Sequence, residues 1–246
     1  MKIKTWLSRR VILKELLSPY RSSYGRAWGR IVLRRRRAPF FTKVHNLDNF
    51  RVLWNIYGLV VGLEKNLCTQ TYVALISYPI GVISYIPAVA GLSIGDRLIT
   101  GWESPIYPGN SMPLINIPLN TRICRIESYP GSGAKFVKSP GGWAVVHSKY
   151  QQFAKIVFHN GAVKFLKLSC LALLGSVSNS RKKLRRLRKA GDSYKLGRRP
   201  QVRGVAKNPV DHPHGGGKGK KSKNAVPEAP WGRLWKRKKR NVKLRF

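Results

Sequence analysis

Apolar residues in the middle of this chain come in short alternating runs, each closed by a turn signal. That pattern admits strands and leaves no room for long helices. Between Asn49 and Trp102 the runs are FRVLWNIYGLVVGL, TYVALISY, GVISYIPAV and SIGDRLITG, with Pro79-Ile80-Gly81 and Gly95-Asp96 as turns. After a punctuated connector, ESPIYPGNSMPLINIPLN (103–120), they resume as TRICRIESYP, AKFVKS, WAVVHSK, FAKIVFHN and AVKFLKLS. Asn160-Gly161, set between two alternating runs, is the strongest hairpin signal in the chain. Each half reads as about five short strands, which suits two small barrels, the first of the OB type.

The stretch from Asn66 to Gly95 carries no charged residue and is long enough to span a bilayer. Pro79, Gly81, Pro87 and Gly91 interrupt any helix there, and its β-branched and aromatic residues read as strands. Membrane insertion is therefore not expected.

Charge separates the middle from both ends. The chain has 48 Lys plus Arg against 9 Asp plus Glu, a net +39. Residues 1–50 hold 13 basic and 2 acidic side chains, residues 51–180 hold 11 and 4, and residues 181–246 hold 24 and 3. Self-repulsion on this scale calls for a polyanion as part of the working structure. The chain thus reads as a basic arm (1–48), an OB-like RNA-binding barrel (49–103), a second barrel (104–190) and an extended basic tail (191–246). A short basic helix is expected over 179–190, with Asn179 or Ser180 as N-cap and Gly191 just past its end. The tail has too few aliphatics to order itself alone in water, and Trp231 and Trp235 imply that it docks on a partner.

The first 37 residues contain one acid, Glu15, among Arg, Ser and apolar residues. That is the composition of a mitochondrial transit peptide. The favoured reading is an RNA-binding arm that stays on the mature protein. Cys68, Cys124 and Cys170 are too far apart to form a disulfide framework or a CxxC pair, and read as reduced, buried thiols.

The stretch NPVDHPHGGG (208–217) concentrates the chemistry. Asp211 and His212 resemble half a catalytic triad, but neighbours on an extended chain point to opposite sides, and no nucleophile elbow accompanies them. His212 and His214 lack the further ligands zinc requires. Neither an enzyme nor a metal site is expected, and no cofactor beyond Mg²⁺ carried by bound RNA. A third reading uses every residue. Pro209 and Pro213 hold the chain extended, and Asn208 and Asp211 close local turns. Gly215, Gly216 and Gly217 let backbone N–H groups approach phosphates. His212 and His214 stack on bases or hydrogen-bond to them. Asp211 either accepts from a base amino group, orients His212, or only makes a turn.

Phosphate contacts are expected at Arg181, Lys182, Lys183, Arg185, Arg186 and Arg188, at Arg198, Arg199 and Arg203, at Lys218 and Lys220, and at Lys236, Arg237, Lys238, Lys239 and Arg240. Arg34–Arg37 form a further cluster, and Trp231 completes the set of RNA-facing residues.

RGVAKNPVDHPHGGGKGK (203–220), followed by APWG (229–232) and KRKKR, resembles the signature of the universal large-subunit ribosomal protein two family. GLSIGDRLITG (91–101), YPGNSMPLINIPLNTRICRIE (107–127), PGSGAKFVKSPGGWAVV (130–146) and LLGSVSN (173–179) match it in order. The resemblance implies an OB-like barrel, an SH3-like barrel and extensions buried in large-subunit rRNA. It implies a structural ribosomal role near the peptidyl transferase centre, with neighbouring ribosomal proteins, small-subunit contacts and, indirectly, tRNA as partners. His212 would then be architectural, since peptide-bond chemistry belongs to the RNA. The chain departs from the family pattern in its divergent residues 1–48, in the apolar hairpin tip Pro79–Ile83, and in Lys218, where an acid commonly stands. The first two departures favour a mitochondrial ribosome over a plastid or bacterial one, with a neighbouring protein covering the tip. The alternative in another class is a non-ribosomal RNA-binding regulator or RNA chaperone.

Overall fold

The computed structural model describes residues 14–19, 26–31, 43–195, 200–217 and 226–234. Its elements are mostly β. The strands are β1 (Leu17–Pro19), β2 (Arg26–Ala27), β3 (Arg30–Ile31), β4 (Lys43–His45), β5 (Gly58–Lys65), β6 (Tyr72–Ser77), β7 (Ile83–Pro87) and β8 (Arg97–Leu98). They continue as β9 (Ser111–Pro113), β10 (Arg122–Cys124), β11 (Ile126–Glu127), β12 (Ala134–Phe136), β13 (Ala144–Lys149), β14 (Phe153–Phe158), β15 (Val163–Lys167) and β16 (Leu171–Leu174). The chain divides into two compact units, one of residues 1–22 and 39–192, the other of residues 23–38 and 193–246.

In the first unit, two antiparallel sheets curl as half-barrels of the OB-like and SH3-like kind. The first has strand order β7-β6-β5-β8, with a bulge in β5 at Val61. Its inner face buries Val60, Ala74, Ile76, Ile86 and Leu98. Its outer face carries Val73, Leu75 and Tyr85, which pack against Leu16 and Leu47. The uncharged stretch 66–95 therefore folds as a hairpin. Tyr78 N–H donates to Val82 O at 2.9 Å across the Pro-Ile-Gly tip, where Gly81 takes a φ of 83°. No described helix is long and apolar enough to cross a membrane.

The second sheet has order β15-β14-β13-β10-β16-β9. Its core centres on Met112, Leu114, Ile123, Val146, Ile156 and Leu174. Asn160-Gly161 forms the expected β14–β15 turn: Gly161 has φ 77°, and Asn160 Oδ1 accepts from Ala162 N–H at 3.0 Å. Val89, Cys124, Leu173 and Val177 form a smaller cluster linking the two sheet regions.

Five expectations change. FRVLWN is not strand, because Arg51 and Asn55 are left-handed at φ 55° and 57° while Asp48 Oδ1 accepts from Phe50 and Arg51 N–H. TRICRIESYP is two strands, because Arg125 is left-handed at φ 51° and turns the chain from the six-stranded sheet into the small β11–β12 sheet. The connector 103–120 contributes an edge strand, β9, and the apolar run at β16 lies inside the sheet. The expected helix over 179–190 is a 3₁₀ turn at Ser180–Leu184, followed by extended Arg185. Asn179 is left-handed and makes no side-chain cap hydrogen bond, its Nδ2 donating instead to Gln70 O at 2.6 Å, and Gly191 lies inside a later helix, α1 (Ala190–Lys195). Finally, Cys124 and Cys170 are buried free thiols, but Cys68 is exposed on the turn after β5.

Candidate nucleic-acid interface

The second unit carries the NPVDHPHGGG stretch. Its prolines do not extend the chain; each occupies the second position of a tight turn, where its fixed φ is already suitable. Asp211 N–H donates to Asn208 O at 3.0 Å, closing Asn208-Pro209-Val210-Asp211. Gly215 N–H donates to His212 O at 2.8 Å, closing His212-Pro213-His214-Gly215. Gly216 N–H then returns to Lys207 O at 3.1 Å and shuts the loop. A Cβ on Gly215 would fall on the Asn208 carbonyl, and Gly216 and Gly217 adopt φ 82° and 106°. The three glycines are thus needed by the loop itself.

The histidines face inward. His212 is buried, its ring lying against Gly204, where a Cβ would enter the ring. Gly204 belongs to a 3₁₀ turn, Gly204–Ala206, held by Ala206 N–H to Arg203 O at 3.1 Å. His212 Nδ1 accepts from His214 N–H at 3.0 Å, and His214 Nε2 accepts from Glu228 N–H at 3.0 Å. A ring nitrogen that accepts carries no proton, so both rings fit as neutral tautomers, with hydrogen on His212 Nε2 and His214 Nδ1. The rings meet edge to face, with centroids 5.1 Å apart. Glu228 introduces a second turn: Gly232 N–H donates to Ala229 O at 2.9 Å, with half-exposed Trp231 at its tip. The motif loop and the APWG turn are therefore joined through His214. Asp211 is exposed and closes its turn through its backbone.

The profile of the family described as Ribosomal Proteins L2, C-terminal domain, matches residues 107–232. Proteins named large ribosomal subunit protein uL2 are similar over most of the chain. That of Coxiella burnetii is 44% identical over 205 residues, covering 83% of this chain and 74% of its own length. That of Hyphomonas neptunium is 41% identical over the same shares of the two chains. That of Orientia tsutsugamushi is 40% identical over 239 residues, covering 97% and 87%.

The chain belongs to the ribosomal protein L2 family.

The L2 match takes in β9 to β16, the motif loop and the APWG turn, so the compact geometry above is that of the matched region. Of the basic side chains expected to meet RNA, Arg181, Lys183, Arg185, Arg186 and Arg188 lie exposed on the 3₁₀ turn and the segment that follows it, and Arg203 lies exposed beside the motif loop. Among the described residues none of these six meets a carboxylate. Lys182 is drawn in, its Nζ donating to Thr69 O at 2.9 Å. Arg198, Arg199, Lys218, Lys220, Lys236, Arg237, Lys238, Lys239, Arg240 and the Arg34–Arg37 cluster fall outside the described residues.

Sequence reasoning missed two features of this L2-family chain. Gly204 seats His212; its only signal was a glycine with no turn of its own to serve. Arg51 and Arg125, each in a run read as strand, are buried. Arg122 stays outside, with its guanidinium 5.3 Å from the Trp143 ring centroid, and Trp143 in turn faces His159. This interleaving of cation and aromatic is the composition that RNA-binding surfaces use.

Proposed function

We propose that this L2-family chain is a structural constituent of the large ribosomal subunit that binds large-subunit rRNA. The motif loop carries the reading. Both imidazoles spend an acceptor nitrogen on a backbone amide, which leaves neither as a general base there and makes the loop a rigid shape. A rigid loop with the exposed Arg203 beside it suits phosphate-backbone recognition, in which arginine fixes position and backbone approaches closely. Catalysis by the protein is not part of the reading; the loop shapes RNA that does the chemistry.

In finer terms, residues 1–48 form an arm, 49–103 the OB-like barrel, 104–190 the SH3-like barrel with the basic 3₁₀ turn at its end, and 191–246 the tail. The loop supports the peptidyl transferase region, and other surfaces serve subunit association and, indirectly, tRNA binding. The Arg- and Ser-rich start supports a mitochondrial particle. The hairpin tip supports a neighbouring protein contact there, since Ile80, Val82 and Ile83 are exposed at 62%, 44% and 41%.

Co-sedimentation through increasing salt tests the reading. A ribosomal constituent stays with the large subunit after a high-salt wash, whereas a regulator or chaperone is released. Import of a tagged full chain into isolated mitochondria tests the compartment independently.

A further inference from the structure

Arg125 ends β10 in a left-handed conformation that buries its whole side chain, leaving 6% exposed. Its Nη1 donates to Asn49 Oδ1 at 3.3 Å. Among the described residues, Nε and Nη2 have no acceptor. These two N–H groups lie on the same edge of the planar guanidinium, the edge that grips a carboxylate or phosphate with two parallel bonds. Arg125 also lines a cavity of about 20 Å³, together with Asp48, Asn49, Arg51, Ser111 and Glu127.

The cavity is lined by two carboxylates and two guanidiniums, but no carboxylate charge acts on Arg125. Arg51 is buried as well, and its charge acts on Arg125. Burial, opposed by Cys124 and aided by Arg51, sets the Arg125 guanidinium down to about 10. Asp48 Oδ1 already accepts from Phe50 N–H and Arg51 N–H, at 3.0 and 2.8 Å. Glu127 accepts from Gly131 and Leu171 N–H through Oε2, and from Gly133 N–H through Oε1. Neither carboxylate forms an ion pair with Arg125. A buried cation with two donors on one open edge needs an acceptor that also carries charge.

We propose that this cavity binds one monatomic anion, chloride being the fitting species, across Nε–H and Nη2–H of Arg125. Its size decides the class. A cavity needs roughly 10–15 Å³ to hold one water-sized body, so a halide fits and a phosphate group does not. The ion neutralises Arg125 where the chain turns from one sheet into the next.

The test compares thermal melting of the full chain in chloride and in isethionate at equal ionic strength. The basic arms collect anions at the surface, and Arg125→Met, similar in volume and uncharged, reports that background. The melting temperature of the wild type is expected to be about 2–4 °C higher in chloride than in isethionate, after subtracting the chloride–isethionate difference measured for Arg125→Met. Equal responses from the two proteins overturn the site. If Arg125→Met does not fold, crystals of the wild-type chain grown in bromide decide. An anomalous peak against the Arg125 edge supports the proposal, and its absence, or a water there, overturns it.

Discussion

His214 donates its backbone N–H to Nδ1 of His212, two residues back, at 3.0 Å, while its own Nε2 accepts from Glu228. One imidazole thus fixes the turn that carries the other, and the second fixes the turn that carries Trp231. The pair behaves as a hinge pin made of two neutral rings, and the consequences can be measured.

Gly204→Ala drives a methyl group into the His212 ring. The loop must open while the barrels stay folded. Amide exchange at Gly215 and Gly216 is expected to accelerate about tenfold or more, with the main melting transition unchanged. Unchanged exchange would mean the ring does not need the glycine.

His212→Ala removes the acceptor for His214 N–H and empties the space over Gly204. Particles carrying it are expected to show slow peptide-bond formation or stalled late assembly, while circular dichroism of the free chain keeps its β signal. Normal assembly together with wild-type translation rates would remove the functional weight placed on this residue.

Arg185 and Arg186 follow the 3₁₀ turn, exposed and, among the described residues, without a carboxylate partner. Substituting either with Ala should weaken RNA affinity across sequences alike. The slope of log affinity against log salt should shrink by about 1 per lost phosphate contact. Single substitutions among Lys236–Lys239 should act in the same direction, more mildly. A slope unchanged by Arg185→Ala would show that this arginine does not touch phosphate.

Cys124 gives a pH signature. Burial pushes its thiol from 9.0 up to about 12, against the pull of Arg125 and Arg51. Between these values the unfolded chain has released the proton and the native state keeps it. Stability therefore falls as pH rises above 9, by about 1.4 kcal/mol per pH unit from this group. Denaturant midpoints at pH 9 and pH 10 should fall less for Cys124→Ala than for wild type. Parallel falls would mean the thiol ionises in the native state.

Local rules carried the hairpins. Asn160-Gly161 and Pro79-Ile80-Gly81 were legible because a positive φ at glycine is a demand of the turn itself. TRICRIESYP failed for the opposite reason. Alternation predicts one face in and one out, but the left-handed Arg125 resets the count, so Ile123 through Glu127 are all buried. The helix over 179–190 failed because Asn179 is left-handed, turned toward Gln70 far away in sequence and giving no side-chain cap to the first turn, and Arg185 is extended. The motif loop was half legible. Its local turns could be read, but not the glycines' part in closing the loop, nor the inward histidines, since their partners are Gly204 and the backbone of residue 228.

The segment after β16 has a bearing on how the chain is made. Ala90 N–H donates to Ser176 O, Tyr72 N–H to Ser178 Oγ, Asn179 Nδ2 to Gln70 O and Lys182 Nζ to Thr69 O. One side of the first sheet is therefore finished by residues translated about a hundred positions later. Contacts of such sequence separation form late and slowly. During synthesis, β5 to β8 must wait with Thr69–Tyr72 uncovered until residue 182 has emerged. A nascent chain stopped at Gly175 should be open to proteolysis there, and one stopped past Lys183 should close.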